Sequence, residues 1–159
     1  METKNTIDTV YSVLPTTVNG HEYVDLGLPS GTLWATKNVG ADDETDFGNY
    51  FMWGKGNTVY NSTDPIYTTT NTYLDSSVDT ATVMMGGNWH MPKKSQLDEL
   101  IANTTSESVT NYNNSGVSGI LLHSNINNNT LFLPYAGSYD QGSYMNSGLN
   151  VWSSERYQQ

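Results

Sequence analysis

The chain has 159 residues, enough for one domain, with no cysteine and a formal net charge of −10 carried against only 6 Lys+Arg. That balance argues against a nucleic-acid or anionic-membrane binder, because both partners need a basic face. The missing cysteine excludes disulfides, thiolate zinc sites and cysteine nucleophiles. Hydrophobic residues make up 36% of the chain, a low share, and 4 Trp with 11 Tyr supply much of the burial area. Abundant Gly, Asn, Ser and Thr predict a loop-rich protein of short strands. No apolar run approaches the roughly 20 residues of a membrane span. The opening "METKNTIDTVYSVLPTTVNG" lacks the basic-then-apolar pattern of a signal peptide.

In chain order, residues 1–19 are polar and Thr-rich and read as a linker or an edge strand. His21 to Leu26 alternates polar and apolar residues, which predicts a strand. Leu28-Pro29-Ser30-Gly31 is turn chemistry, and Thr32 to Thr36 completes a hairpin. Asp42, Asp43 and Glu44 are placed to open a short helix that Gly48 would stop. Tyr50, Phe51 and Trp53 follow as core. The stretch from Lys55 to Thr82 has no helical period and predicts a long surface loop. The best helix runs from about Lys94 to Ala102, with Leu97, Leu100 and Ile101 on one buried face and Asp98 and Glu99 outside. "GVSGILLHS" and "NTLFLPYAG" form a second hairpin across an Asn-rich turn, with Ile120, Leu122, Leu131 and Leu133 inward. Trp34 and Trp89 are further core candidates.

Five blocks in this order, "EYVDLGLPSGTLWATKNVGA", "GNYFMWG", "GGNWHMPKKSQLDELI", "NNNTLFLPYAG" and "VWSSE", resemble the bacterial FISUMP domains, a large group of major paralogous domains common in gut anaerobes. The resemblance spans about Gly20 to Glu155. It implies an α+β, C-type-lectin-like fold of short antiparallel strands with two helices, related to the scaffold diversified by retroelements in phage and bacteria. The domain would occupy residues 20–159. Departures are Lys37 where members often carry Cys, His90 where Arg is usual, and Lys93 where Thr would cap the helix. Members also continue beyond the "WSS" block to a closing "SVRPV"-like strand. The resemblance therefore implies a chain truncated at its end and lacking terminal strands, with an open edge that another chain or the N-terminal segment would cover.

The three histidines, His21, His90 and His123, lack metal-ligand spacing, and no GxSxG elbow, P-loop or GxGxxG is present. The enzymes that generate formylglycine share this broad fold but need an active-site cysteine pair. No enzymatic reading, metal or cofactor is supported. Sugar-binding C-type lectins use EPN- or QPD-like and WND-like calcium motifs, and here Trp152 is followed by Ser153-Ser154-Glu155. The acids at 42–46 read better as a helix start than as calcium ligands. An unusual site from Asp140, Asn146, Asn150 and Glu155 is the remaining calcium candidate. The tail interleaves Tyr135, Tyr139, Tyr144, Trp152 and Tyr157 with Ser, Asn and Gly, a paratope-like composition of rigid rings and adaptable polar groups.

The resulting expectation is a non-enzymatic binding module of a bacterial surface protein or phage receptor-binding protein, located extracellularly, at the cell surface or on a virion. Its ligand would be protein or glycan on a cell surface. The site would be Tyr135, Tyr139, Asp140, Tyr144, Asn146, Asn150, Trp152, Glu155 and Tyr157, helped by the Lys55–Thr82 loop. The alternative is a structural spacer of a larger surface protein with no ligand of its own.

Overall fold

Asn19 and Gly20, with φ of 50° and 79°, turn the chain between β1 (Thr17–Val18) and β2 (His21–Val24). Positive φ at both positions is what a two-residue hairpin with a type I′ turn requires, and Asn-Gly is its favoured pair. The computed structural model describes residues 17–56, 69–140, 143–145 and 148–156. β2 then pairs antiparallel with β3 (Trp34–Ala35), so the first sheet has the order β1-β2-β3. Between them, Gly31 N–H donates to Leu28 O at 2.8 Å and closes the predicted turn.

Two helices follow, α1 (Thr80–Met85) and α2 (Lys94–Ala102). The second sheet, order β4-β5-β6, comprises β4 (Thr104–Val109), β5 (Gly119–Ser124) and β6 (Thr130–Pro134). Gly119 must be glycine, because a Cβ there would sit 2.4 Å from Leu133 O and 2.7 Å from the Phe132 ring. A small hairpin of β7 (Ser138–Asp140) and β8 (Ser143–Met145) closes the element order. The protein is thus α+β, with two three-stranded antiparallel sheets and two α-helices among the described residues. No helix among the described residues is long and apolar enough to cross a membrane.

Two clusters make the core. The first is aliphatic: Leu26, Leu28, Leu100, Leu122 and Leu131, with Val24, Trp34, Ile120 and Leu133 against it. Each buried leucine contributes about 1.5–3 kcal/mol. The second is Ala81, Met85 and Met91, with Ala35, Val39, Trp53, Leu74 and Trp89 around it. β3 stands between them, since adjacent residues point to opposite faces: Trp34 packs on the first cluster and Ala35 on the second.

Several expectations are corrected. Residues 42–47 form no helix. Asp43 Oδ1 accepts from Thr45 N–H at 2.8 Å, Thr45 Oγ1 at 2.7 Å and Asp46 N–H at 3.0 Å. These side-chain bonds to local backbone hold tight turns that compete with a helix. A helix forms instead at Thr80–Met85, beginning in the last three residues of the predicted loop. Asp79 caps it, accepting from Thr82 N–H at 3.0 Å, and Gly86 at φ 72° ends it. Ile101 is 72% exposed, not core. At about 100° per residue it lies a quarter-turn round α2 from Leu100, and only the Leu100 side meets the sheets. Glu99 does not simply face solvent: its carboxylate accepts from Ser30 N–H at 2.9 Å and ties α2 to the first turn. Residues 17–18 of the N-terminal segment are an edge strand, and 1–16 lie outside the described residues.

Candidate functional site

The second cluster is open on one side, onto a cleft of about 740 Å³. One wall is β3 and the chain after it, Leu33, Trp34, Ala35 and Val39. The floor carries Tyr50, Phe51 and Trp53, then Ala81 and Met85 of α1. Trp89, His90 and Met91 line it as well, as do Leu133, Tyr139, Val151 and Trp152. Among the described residues no Asp or Glu lines the cleft, although the chain holds 16 of them. Its one amino group, on Lys37, is already held by Glu22 at 3.2 Å and by Asp42 O at 3.0 Å.

Hydrogen bonds to backbone far away in the chain fix these rings. Tyr50 OH donates to Ala136 O at 2.6 Å, and Trp53 Nε1 donates to Ser153 O at 2.8 Å. Trp89 Nε1 donates to Val18 O at 3.0 Å, and His21 meets the Trp89 ring edge-on at a centroid distance of 6.5 Å. The stretch "GGNWHMPKK" is held from below by Asp79, whose buried carboxylate accepts from Met91 N–H at 3.0 and 3.1 Å. Thr82 Oγ1 donates to Trp89 O at 2.8 Å. His90 turns its Nδ1 to Met91 O, 2.9 Å away. These contacts make the corner a rigid support. On β3 and just after it, by contrast, Trp34 Nε1 and Thr36 Oγ1 are buried with no hydrogen-bond partner among the described residues. Each such group costs about 1–3 kcal/mol.

The structure divides the nine residues expected from the sequence. Tyr139, Asn150 and Trp152 come together in the cleft wall, with Trp152 59% exposed. Tyr135 is elsewhere, its hydroxyl 3.2 Å from Ser108 Oγ. Glu155 accepts from Lys94 N–H at 3.0 Å, at the start of α2. Lys93, in the N-cap position, has no side-chain cap bond of its own, and Gln96 Oε1 accepts from its N–H at 3.0 Å. Asn146 and Tyr157 lie outside the described residues, as do the side chains of Asp140 and Tyr144. So does 57–68 of the predicted loop. No group of three His, Asp or Glu that could hold a metal ion occurs among the described residues. Of the acids at 42–46, Asp43 is exposed, and the hydrogen bonds from Thr45 hold its pKa below the usual value.

No protein family, curated protein or solved structure matches this chain. The geometry of the cleft therefore carries the functional argument. Trp34, Trp53 and Trp89, expected only as core, are half-buried cleft walls, and Phe51 shares that role. A signal for this was present in the composition. A chain with 36% hydrophobic residues but 4 Trp and 11 Tyr has few aliphatic side chains with which to enclose its rings.

Proposed function

We propose that the chain is a non-enzymatic ligand-binding module of a bacterial surface protein or phage receptor-binding protein, and that the aromatic cleft is its site. The observation that carries the reading is the cleft itself: concave, ring-lined, of the size usual for ligand pockets, with a few amides at its rim. Asn38, Asn49, Asn88 and Asn150 supply those amides. Rings offer area at low entropic cost, and amides offer both donors and acceptors, a combination suited to a glycan or a protein surface. The α+β arrangement and the five ordered sequence blocks support a C-type-lectin-like domain of the FISUMP type.

A structural spacer is the competing reading. It draws on the anchoring of the tail, where Glu155 holds Lys94 and Ser154 N–H donates to Pro92 O at 2.8 Å. A broad glycan array and a panel of candidate surface proteins, each probed with calcium and with chelator, separate the two. Chelator-resistant binding that is lost in Trp152→Ala, with the melting temperature unchanged, supports the cleft as the site. Binding abolished by chelator would move the site to a calcium centre in the tail. A folded sample that binds neither class leaves the spacer reading.

A further inference from the structure

We propose that the cleft takes an extended, neutral segment of a partner polypeptide, added as a fourth strand along the outer edge of β3. The proposal rests on the binding-module reading and names the class of ligand.

The register of the first sheet supplies the edge. Thr36 N–H donates to Glu22 O at 3.2 Å, and Tyr23 stands opposite Ala35. In an antiparallel ladder, hydrogen-bonded and non-bonded pairs alternate, so Trp34 and Thr36 bond to β2 while Ala35 directs its N–H and C=O groups outward, and the same alternation carried one step before the strand turns those of Leu33 outward. No hydrogen bond among the described residues reaches these outward groups. β3 is the last strand of its sheet, and Leu33, Trp34 and Ala35 all line the cleft. Two donors and two acceptors at the spacing of alternate residues are what an incoming strand pairs with.

Among the edge strands of the two sheets, β3 and β4 differ in kind. β4 exposes Thr105, Ser106, Glu107 and Ser108, a polar and charged edge of the sort that discourages pairing. β3 carries neither charge nor proline, and Leu33 is 38% exposed. The walls select the guest's side chains. Among the described lining residues there is no carboxylate and the one lysine is already paired, so an ionic guest finds no counter-charge there. Leu133 and Trp152, which line the same cleft, offer apolar surface to one face of a strand. A glycan could stack on the same rings but would leave the β3 backbone groups unpaired, which favours the peptide.

The test selects short linear peptides from a displayed random library on the full chain, then titrates synthetic binders. Neutral peptides with alternating apolar residues are expected. Their saturation should slow amide hydrogen exchange at Leu33 and Ala35 while Trp34 and Thr36 stay unchanged. Ala35→Pro removes an outward donor without touching the β2 ladder and should weaken binding about tenfold, the effect of one lost hydrogen bond. If that variant fails to fold, N-methylation of alternate residues in the peptide removes the same bonds from the other side and should abolish binding. Peptides that bind without protecting Leu33 and Ala35, or that tolerate N-methylation at every position, overturn strand addition. A chain that selects no peptide but binds a glycan through Trp152 also overturns it and leaves the binding-module reading intact. A folded chain that binds neither overturns both.

Discussion

The two core clusters are built from different side chains and end differently. The aliphatic cluster is closed: Leu26 is fully buried and Leu131 is 2% exposed. Its margins are sealed by Ser124 Oγ donating to Leu26 O at 2.6 Å and by Asn127 and Asn129 amides donating to Asp25 O at 2.9 and 2.7 Å. The methionine and tryptophan cluster is supported from below by Asp79 but opens onto the cleft. Branched aliphatics interlock into a dense core, whereas flexible methionines and large rings tolerate a free face. The first cluster therefore carries stability, and the second presents a surface.

The sharpest way to break this comparison is a matched pair of truncations. Leu131→Ala should cost about 2–5 kcal/mol in urea denaturation, and Met85→Ala should fall at or below the bottom of that range, because its surroundings already border open space. Equal losses would show that the second cluster is as tightly packed as the first. Next in size is Asp79→Ala, at about 2–3 kcal/mol, since it leaves the N–H groups of Thr82 and Met91 without their acceptor. Methyl signals of Met85 and Met91 should broaden in that variant while those of Leu122 and Leu131 stay sharp. A uniform change would mean the two clusters unfold as one unit.

Glu155→Ala should lower stability by about 1 kcal/mol by uncapping α2 at Lys94, with little change in ligand binding. The opposite pattern, stability retained and binding lost, would return Glu155 to the ligand site. The smallest effect belongs to pH. Burial, with Glu44 nearby, raises the Tyr112 pKa above its ordinary value of 10.0. The folded state thus holds the phenolic proton more tightly than the unfolded chain. Its contribution to stability is complete below pH 10.0 and lost as pH climbs through the raised value. Tyr112→Phe should flatten that alkaline decline while keeping the stack on Phe132, whose ring lies 3.9 Å away. A decline that persists in Tyr112→Phe would assign it to another group.

Elements with a strong local signal were legible. α2 coincides with its apolar spacing, and β5 and β6 pair across the Asn-rich turn as their alternation predicts. β4 was not legible, because "TTSESV" offers one apolar residue and becomes a strand only by pairing with β5 along its whole length. α1 was obscured by its threonines, though Asp79 before it and Gly86 after it are helix signals. The acids at 42–46 misled in the other direction, since Asp also closes turns.

The same division holds for the site. From the sequence alone came the α+β class, the acidic net charge and the ring-rich tail holding Tyr139 and Trp152. Those follow from composition and local periodicity, which any stretch of chain displays by itself. That Trp34, Trp53 and Trp89 join Trp152 around one cleft, and that Glu155 turns inward to α2, was decided by tertiary structure. These residues lie far apart in the chain, and whether a ring is covered or left at a cleft depends on which distant elements arrive to pack against it.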